Sequence, residues 1–82
     1  INKEVGRVKI NNFKKTKTFI NTKEIKAGDL LRIVKSDGNI LEGIVLFNTG
    51  FKYYDKTNEE FREIILSETD ASDIESIEIL NR

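Results

Sequence analysis

Apolar and polar residues alternate with a period of two along most of this chain. Val8 and Ile10 flank Lys9 near one end, and Ile77 and Ile79 flank Glu78 near the other. A period of two is typical of β-strands with one buried face. No stretch keeps a helical period over ten residues, so the pattern predicts an all-β chain.

Turn signals divide the chain into short strands. Asp37-Gly38 lies between the apolar runs Leu30–Lys35 and Ile40–Phe47, and Asp-Gly in that setting is a strong hairpin signal. The remaining strands are predicted at Phe51–Tyr54, Phe61–Leu66 and Ile74–Leu80.

The segments between the strands are polar. Lys26–Asp29 is predicted to be the turn that leads into the first strand of the Asp-Gly hairpin, and Asn48–Gly50 is a second turn. Ser67–Asp73 is predicted to be a connection with one helical turn, in which Ser72 is the cap and Glu75 reaches back to it.

The run Ile40–Phe47 is apolar on both faces. Leu41, Val45 and Phe47 share one face, and Ile40, Ile44 and Leu46 share the other. Both faces of a strand are buried when it is long, bent and shared by the two halves of a closed barrel, and Gly43 would permit the bend. We therefore expect one domain over residues 1–82. Within it, residues 28–80 are expected to form a small barrel of about five strands.

A β-hairpin and a connection, residues 1–27, are expected to precede the barrel. In the hairpin, a strand around Val8–Ile10 is followed by an Asn11-Asn12 turn and a return strand over Phe13–Ile20.

Part of the pattern resembles the first motif of Sm-like proteins. The resemblance is carried by Leu31–Val34, Asp37-Gly38, Gly43 and Val45, and Ser72–Ile79 resembles the last strand of many SH3-like and Sm-like barrels. It covers roughly residues 28–80 and implies an SH3-like or Sm-like barrel. Thr49 stands where the family places an Asp, no matching Asn follows, and the family's Arg-Gly pair is absent. The resemblance therefore implies the strand order and not the RNA-contacting residues.

Charge is unevenly spread although the net charge is zero. Residues 1–35 contain ten Lys or Arg against three acids, whereas residues 36–82 contain four against eleven. The first part is thus strongly basic and the second strongly acidic, which favours binding through charge.

The composition argues against catalysis. The chain has no His and no Cys, which are the commonest general base and the strongest nucleophile. We therefore expect no enzyme activity. No carboxylate spacing fits a calcium-binding loop, and neither a metal nor a cofactor is expected. No apolar run approaches the roughly 20 residues of a membrane span. Neither a secretory signal nor a cysteine is present, so a cytoplasmic protein without a membrane partner is expected.

The first candidate site is the basic hairpin. An Asn11-Asn12 turn would place like charges opposite each other, which is unfavourable unless water or an anion screens them. Phosphate backbones are such anions, and an aromatic side chain at the tip can stack on a base. The candidate residues for nucleic-acid binding here are Arg7, Lys9, Phe13, Lys14, Lys15 and Lys17. A solvated basic ribbon is the alternative.

The second candidate site is the aromatic strand. Alternation places Phe51 and Tyr53 on one face, where core packing is the simpler interpretation, and Lys52 and Tyr54 on the other. Lys52 with Tyr54 is the pair expected to bind, as a stacking platform or as part of a peptide groove.

Three functions remain open at this level. The first is a small nucleic-acid-binding barrel for single-stranded RNA or DNA. The second is a protein-interaction or inhibitor module, for which the acidic residues suit a basic partner or another copy of the chain. The third is an oligomeric barrel that binds a small anionic molecule at a subunit interface.

Overall fold

Strands form close to where the period-two pattern predicts them. The computed structural model describes residues 8–10 and 18–81, and the strands within them form one antiparallel sheet. They are β1 (Val8–Lys9), β2 (Leu30–Lys35), β3 (Ile40–Val45), β4 (Gly50–Asp55), β5 (Glu60–Ile65) and β6 (Ile74–Ile79). The all-β prediction is confirmed.

The sheet is open, contrary to the predicted closed barrel. Its strand order is β1-β6-β2-β3-β4-β5. Within the described ranges, β1 and β5 are edge strands that do not pair with each other. The prediction of a closed barrel rests on the apolar residues on both faces of β3. It is wrong because one of those faces is exposed, with Ile40 and Ile44 on the surface.

The first strand of the sheet pairs with the last strand of the chain, β6. Val8 lies opposite Ile79 and Lys9 opposite Glu78, and the amide of Ile10 donates to the carbonyl of Ile77 at 2.9 Å. Apolar residues on β1 and β6 thereby meet on one face. The predicted Asn11-Asn12 turn and most of the return strand lie outside the described residues, and Phe19 forms an isolated bridge to Asp70.

The core occupies one face of the sheet, which we call the inner face. Phe51 of β4 is 0% exposed, and it packs in one cluster with Leu31 and Ile33 of β2 and with Ile77 and Ile79 of β6. The connections complete this core with Ile20, Ile25, Leu66 and Ala71. Hydrogen bonds from the amides of residues 20 and 71 to the carbonyls of residues 69 and 18 join two of these connections.

The predicted helical turn before β6 is present, but its cap differs from the prediction. Ala71–Asp73 form a 3-10 turn, and the side chain of Asp70 accepts a hydrogen bond from the amide of Ser72 at 2.9 Å. Asp70 therefore caps the turn, and Ser72 is a donor within it. An Asp two residues before a free amide competes well for that bond because its carboxylate is a strong acceptor.

The strand β3 ends two residues earlier than predicted. Phe47–Thr49 form a 3-10 turn, which the bond from the Leu46 amide to the Gly50 carbonyl closes at 2.7 Å. Asn48 and Thr49 have φ angles of 57° and 60°. Asn adopts this left-handed region readily, but a β-branched Thr seldom does, and such residues cost about 1–3 kcal/mol.

The turn is stabilised from the neighbouring connection. The Thr49 hydroxyl lies 2.9 Å from the Ser67 hydroxyl, and it also accepts a hydrogen bond from the Ser67 amide. These contacts hold the strained turn against the segment that follows β5.

The backbones of β3 and β4 approach each other unusually closely at Gly43. A Cβ atom built on Gly43 would lie 1.9 Å from the carbonyl oxygen of Lys52 and 2.9 Å from the Cα atom of Tyr53. The pairing of Gly43 with Tyr53 therefore requires a residue without a side chain. The sequence assigned Gly43 to a bend in a closed barrel, whereas the structure shows a glycine required by the close approach of two strands in an open sheet.

We predict that Gly43→Ala is strongly destabilising, because β3 and β4 must separate to admit the methyl group. A loss of several kcal/mol in the free energy of unfolding, roughly 2–4, is expected from urea denaturation. Gly50→Ala is the matched control, since its Cβ would have only ordinary contacts, the nearest at 3.5 Å, and its φ of −67° suits any residue. Equal losses in the two variants would contradict the close-approach explanation.

Candidate binding surface

The face opposite the core, which we call the outer face, carries side chains in rows that cross the strands. One row is charged: Lys9 lies opposite Glu78, Glu78 opposite Arg32, and Arg32 opposite Glu42. The Arg32 Nε donates to Glu42 at 2.6 Å, and Arg32 Nη1 lies 4.0 Å from Glu78. Positive and negative side chains thus alternate along this row.

The adjacent row on the outer face is apolar over most of its length. Leu30 lies opposite Ile44, and the amide of Leu80 donates to the carbonyl of Leu30 at 2.7 Å. Ile44 lies opposite Lys52 in the next strand. Leu30 and Ile44 are exposed although both are large and aliphatic.

These residues line a groove of about 500 Å³ on the outer face. We call it the outer groove, and the outer-face side chains that line it are Leu30, Glu42, Ile44, Lys52, Tyr54, Phe61 and Leu80. Its volume is within the range of ligand and peptide pockets. Most of the side chains that line it are apolar.

Phe61 of β5 is the most exposed hydrophobic residue of the outer groove, at 66%. Its ring is in edge-to-face contact with Tyr54, with centroids 5.1 Å apart and planes at 70°. The Lys52 Nζ lies 5.3 Å from the centroid of the same ring. Aromatic and cation–π contacts of this kind are each worth about 0.5–1 kcal/mol at exposed sites. They orient the ring and leave most of it uncovered.

The turn between β4 and β5 fixes the register that brings Tyr54 opposite Phe61. Asp55 organises this turn, because its carboxylate accepts hydrogen bonds from the amide of Thr57 at 3.0 Å and from the Asn58 side chain at 2.9 Å. Arg62 also lies 2.8 Å from the same carboxylate. The Asn58 side chain first, and then the backbone amides and Arg62, hold the pKa of Asp55 below its ordinary value.

The structure brings together only some of the residues predicted to bind. Lys52 and Tyr54 share the outer groove, while Phe51 and Tyr53 face inward and stack with centroids 5.7 Å apart. Lys9 is on β1, four strand spacings from β4 and hence about 19 Å away along the sheet. The other predicted contact residues lie outside the described residues: Arg7, Phe13, Lys14, Lys15 and Lys17.

Sequence reasoning missed five outer-face residues of the groove: Leu30, Glu42, Ile44, Phe61 and Leu80. The sequence carries a signal for Ile44, because the outer face of β3 is apolar, but that pattern by itself predicts burial in a barrel. Phe61 carried no comparable signal, because an aromatic residue in a short strand is normally assigned to the core.

Neither a metal-binding group of carboxylates nor a membrane-spanning helix is found within residues 8–10 and 18–81. No group of three or more Asp or Glu side chains is arranged to bind a metal ion there. No helix in that part of the chain has the length and apolar character to cross a bilayer.

Comparison of the chain with protein-family models, with curated proteins and with solved structures finds no match. The Sm-like or SH3-like resemblance therefore stays a prediction. The function has to be inferred from the surface itself.

We predict that Asp55→Asn destabilises the protein at neutral pH and much less in acid. A carboxylate whose pKa is lowered by folding stabilises the folded state above its unfolded pKa, and this contribution is lost as the pH falls from 3.8 through the lower folded pKa. Urea midpoints of the wild type and the variant should therefore begin to converge below about pH 4 and differ little once the pH is below the folded pKa.

Glu75→Gln is the control for this comparison, since it removes an exposed carboxylate from β6. Its urea midpoint at neutral pH should match the wild type. A difference between Asp55→Asn and the wild type that stays constant down to the lowest pH would contradict the assigned role of Asp55.

Proposed function

We propose that this chain is a non-catalytic module that binds a protein partner through the outer groove. The observation that carries this proposal is Phe61, a large aromatic residue that is two-thirds exposed and is oriented by Tyr54 and Lys52. Ordered aromatic anchors beside aliphatic residues are characteristic of the energetic centres of protein interfaces.

The charges of the outer face favour a protein over a nucleic acid as the ligand of this groove. Three cations and three carboxylates lie on the strands of that face: Lys9, Arg32, Lys52, Glu42, Glu63 and Glu78. The face is therefore neutral in sum, whereas binding of a phosphate backbone depends on a net excess of Lys and Arg. Charged residues around an apolar centre instead resemble the polar rim of a protein interface.

Photo-crosslinking tests the proposed surface. With p-benzoylphenylalanine in place of Phe61, the chain should form a discrete adduct with one protein in cells of its native host. The same probe in place of Phe19 should not, because Phe19 is 48% exposed but lies outside the outer groove. Equal labelling from the two positions, or no adduct from position 61, would contradict the proposal.

The captured protein must also bind the purified chain through the same surface. We expect Phe61→Ser to weaken the affinity by roughly tenfold or more, which is typical of an interface anchor. Phe19→Ser should leave the affinity unchanged. Thermal melting of the two variants checks that both remain folded.

A second candidate function, binding of single-stranded RNA or DNA, is supported by a different part of the chain. Residues 11–17 contain three lysines and no acid. The residues on either side are anchored, since Ile10 and Ile20 are both buried and both donate backbone hydrogen bonds to the rest of the fold. The lysines of such a segment supply the positive charge that phosphate contacts require.

We predict that this binding, measured by fluorescence anisotropy with a labelled oligonucleotide, weakens steeply with salt. Each phosphate contact contributes about 0.7 to the slope of log affinity against log salt for single strands. The triple variant Lys14→Ala, Lys15→Ala and Lys17→Ala should therefore reduce the slope by about 2.

Lys56→Ala is the control, because it removes a lysine from the turn between β4 and β5. It should leave both the affinity and the slope as in the wild type. Absence of binding at low salt would eliminate this second candidate and leave the protein-binding proposal intact.

A further inference from the structure

The most exposed large hydrophobic residue of the described chain is Phe47, at 84%. It opens the 3-10 turn between β3 and β4 and does not line the outer groove. The described part of the chain therefore presents an exposed aromatic side chain at one place and an exposed apolar groove at another.

We propose that Phe47 of one copy of this chain inserts into the outer groove of a second copy. This inference rests on the proposed function, and it identifies the protein partner as another copy of the chain. The contact joins two different surfaces, so it is a heterologous contact in which one copy supplies the aromatic residue and the other supplies the groove.

The chemistry of the two surfaces matches. The residues that flank Phe47 in the chain are uncharged: Leu46, Asn48, Thr49 and Gly50. The turn therefore carries no charge of its own into the groove, whose two charged side chains, Lys52 and Glu42, have opposite signs. Within the groove, Tyr54 and Phe61 offer ring edges and faces to an incoming aromatic ring, while Leu30 and Ile44 offer aliphatic surface.

The backbone of the turn holds Phe47 in a defined position. Thr49 is kept in the left-handed region by its contacts with Ser67, although a β-branched residue disfavours that region. Strained residues that the surrounding structure retains tend to occur where function requires the geometry. A rigid turn also loses little conformational entropy when its aromatic residue is bound.

A mixing experiment tests the two surfaces separately. Sedimentation velocity should show that the wild type self-associates as its concentration rises toward about 1 mM. Phe47→Ala removes the inserted residue, and Phe61→Asp places a charge in the groove, so each variant alone should remain monomeric. An equimolar mixture should form a one-to-one complex, because Phe61→Asp retains Phe47 and Phe47→Ala retains an intact groove.

Phe19→Ala is the matched control for the aromatic truncation and should self-associate like the wild type. Phe61→Ser replaces Phe61→Asp if the charged variant has a lowered melting temperature. A wild type that stays monomeric over the whole concentration range overturns the inference, and so does a mixture in which the two variants do not bind each other.

The failure of this inference is distinguishable from failure of the proposed function. A monomeric wild type whose position 61 crosslinks to a different protein overturns the self-association and retains the groove as a binding surface. A chain that neither self-associates nor forms an adduct from position 61 overturns both.

Discussion

The close approach of β3 and β4 at Gly43 is the constraint on which both faces of the sheet depend. Because no side chain separates the two backbones there, Gly43 lies opposite Tyr53 and Ile44 lies opposite Lys52. This register places Gly43 opposite Tyr53 on the inner face, where Tyr53 stacks on Phe51 of the same strand. It simultaneously places Ile44 beside Lys52 on the outer face and forms the centre of the outer groove. A shift of one residue would exchange the two faces.

The two neighbouring rows on the outer face differ in the interactions that they leave available to a partner. In the charged row, Arg32 lies between Glu42 and Glu78, so its charge is met within the chain. Such exposed ion pairs contribute little stability, about 0–1 kcal/mol each, but they leave little field for a distant anion. In the apolar row, Leu30 and Ile44 remain in contact with water. The free energy available for binding is therefore mainly that of apolar burial.

Local hydrogen bonds determine how the two exposed phenylalanines are presented. Asp55 organises the turn that sets Phe61 opposite Tyr54, and the contacts between Thr49 and Ser67 maintain the turn that begins with Phe47. Polar contacts thus set the position of both turns, and the ring contacts with Tyr54 and Lys52 further orient Phe61. An aromatic residue that is ordered before binding loses less entropy when a partner covers it.

The sequence by itself determined the strand content of this protein, because alternation and turn chemistry act over a few residues. The Leu30–Lys35 strand, the Asp37-Gly38 turn and the division of Phe51 and Tyr53 from Lys52 and Tyr54 all follow from such local rules. Tertiary structure decided which strands meet and which apolar face is covered. The two-sided apolar pattern of Ile40–Phe47 fits a closed barrel and an exposed binding face equally well. Ile44 and Phe61 are exposed because β1 and β5 lie at the two edges of a sheet that does not close into a barrel. This arrangement depends on pairing between residues far apart in the chain, which the local pattern does not determine.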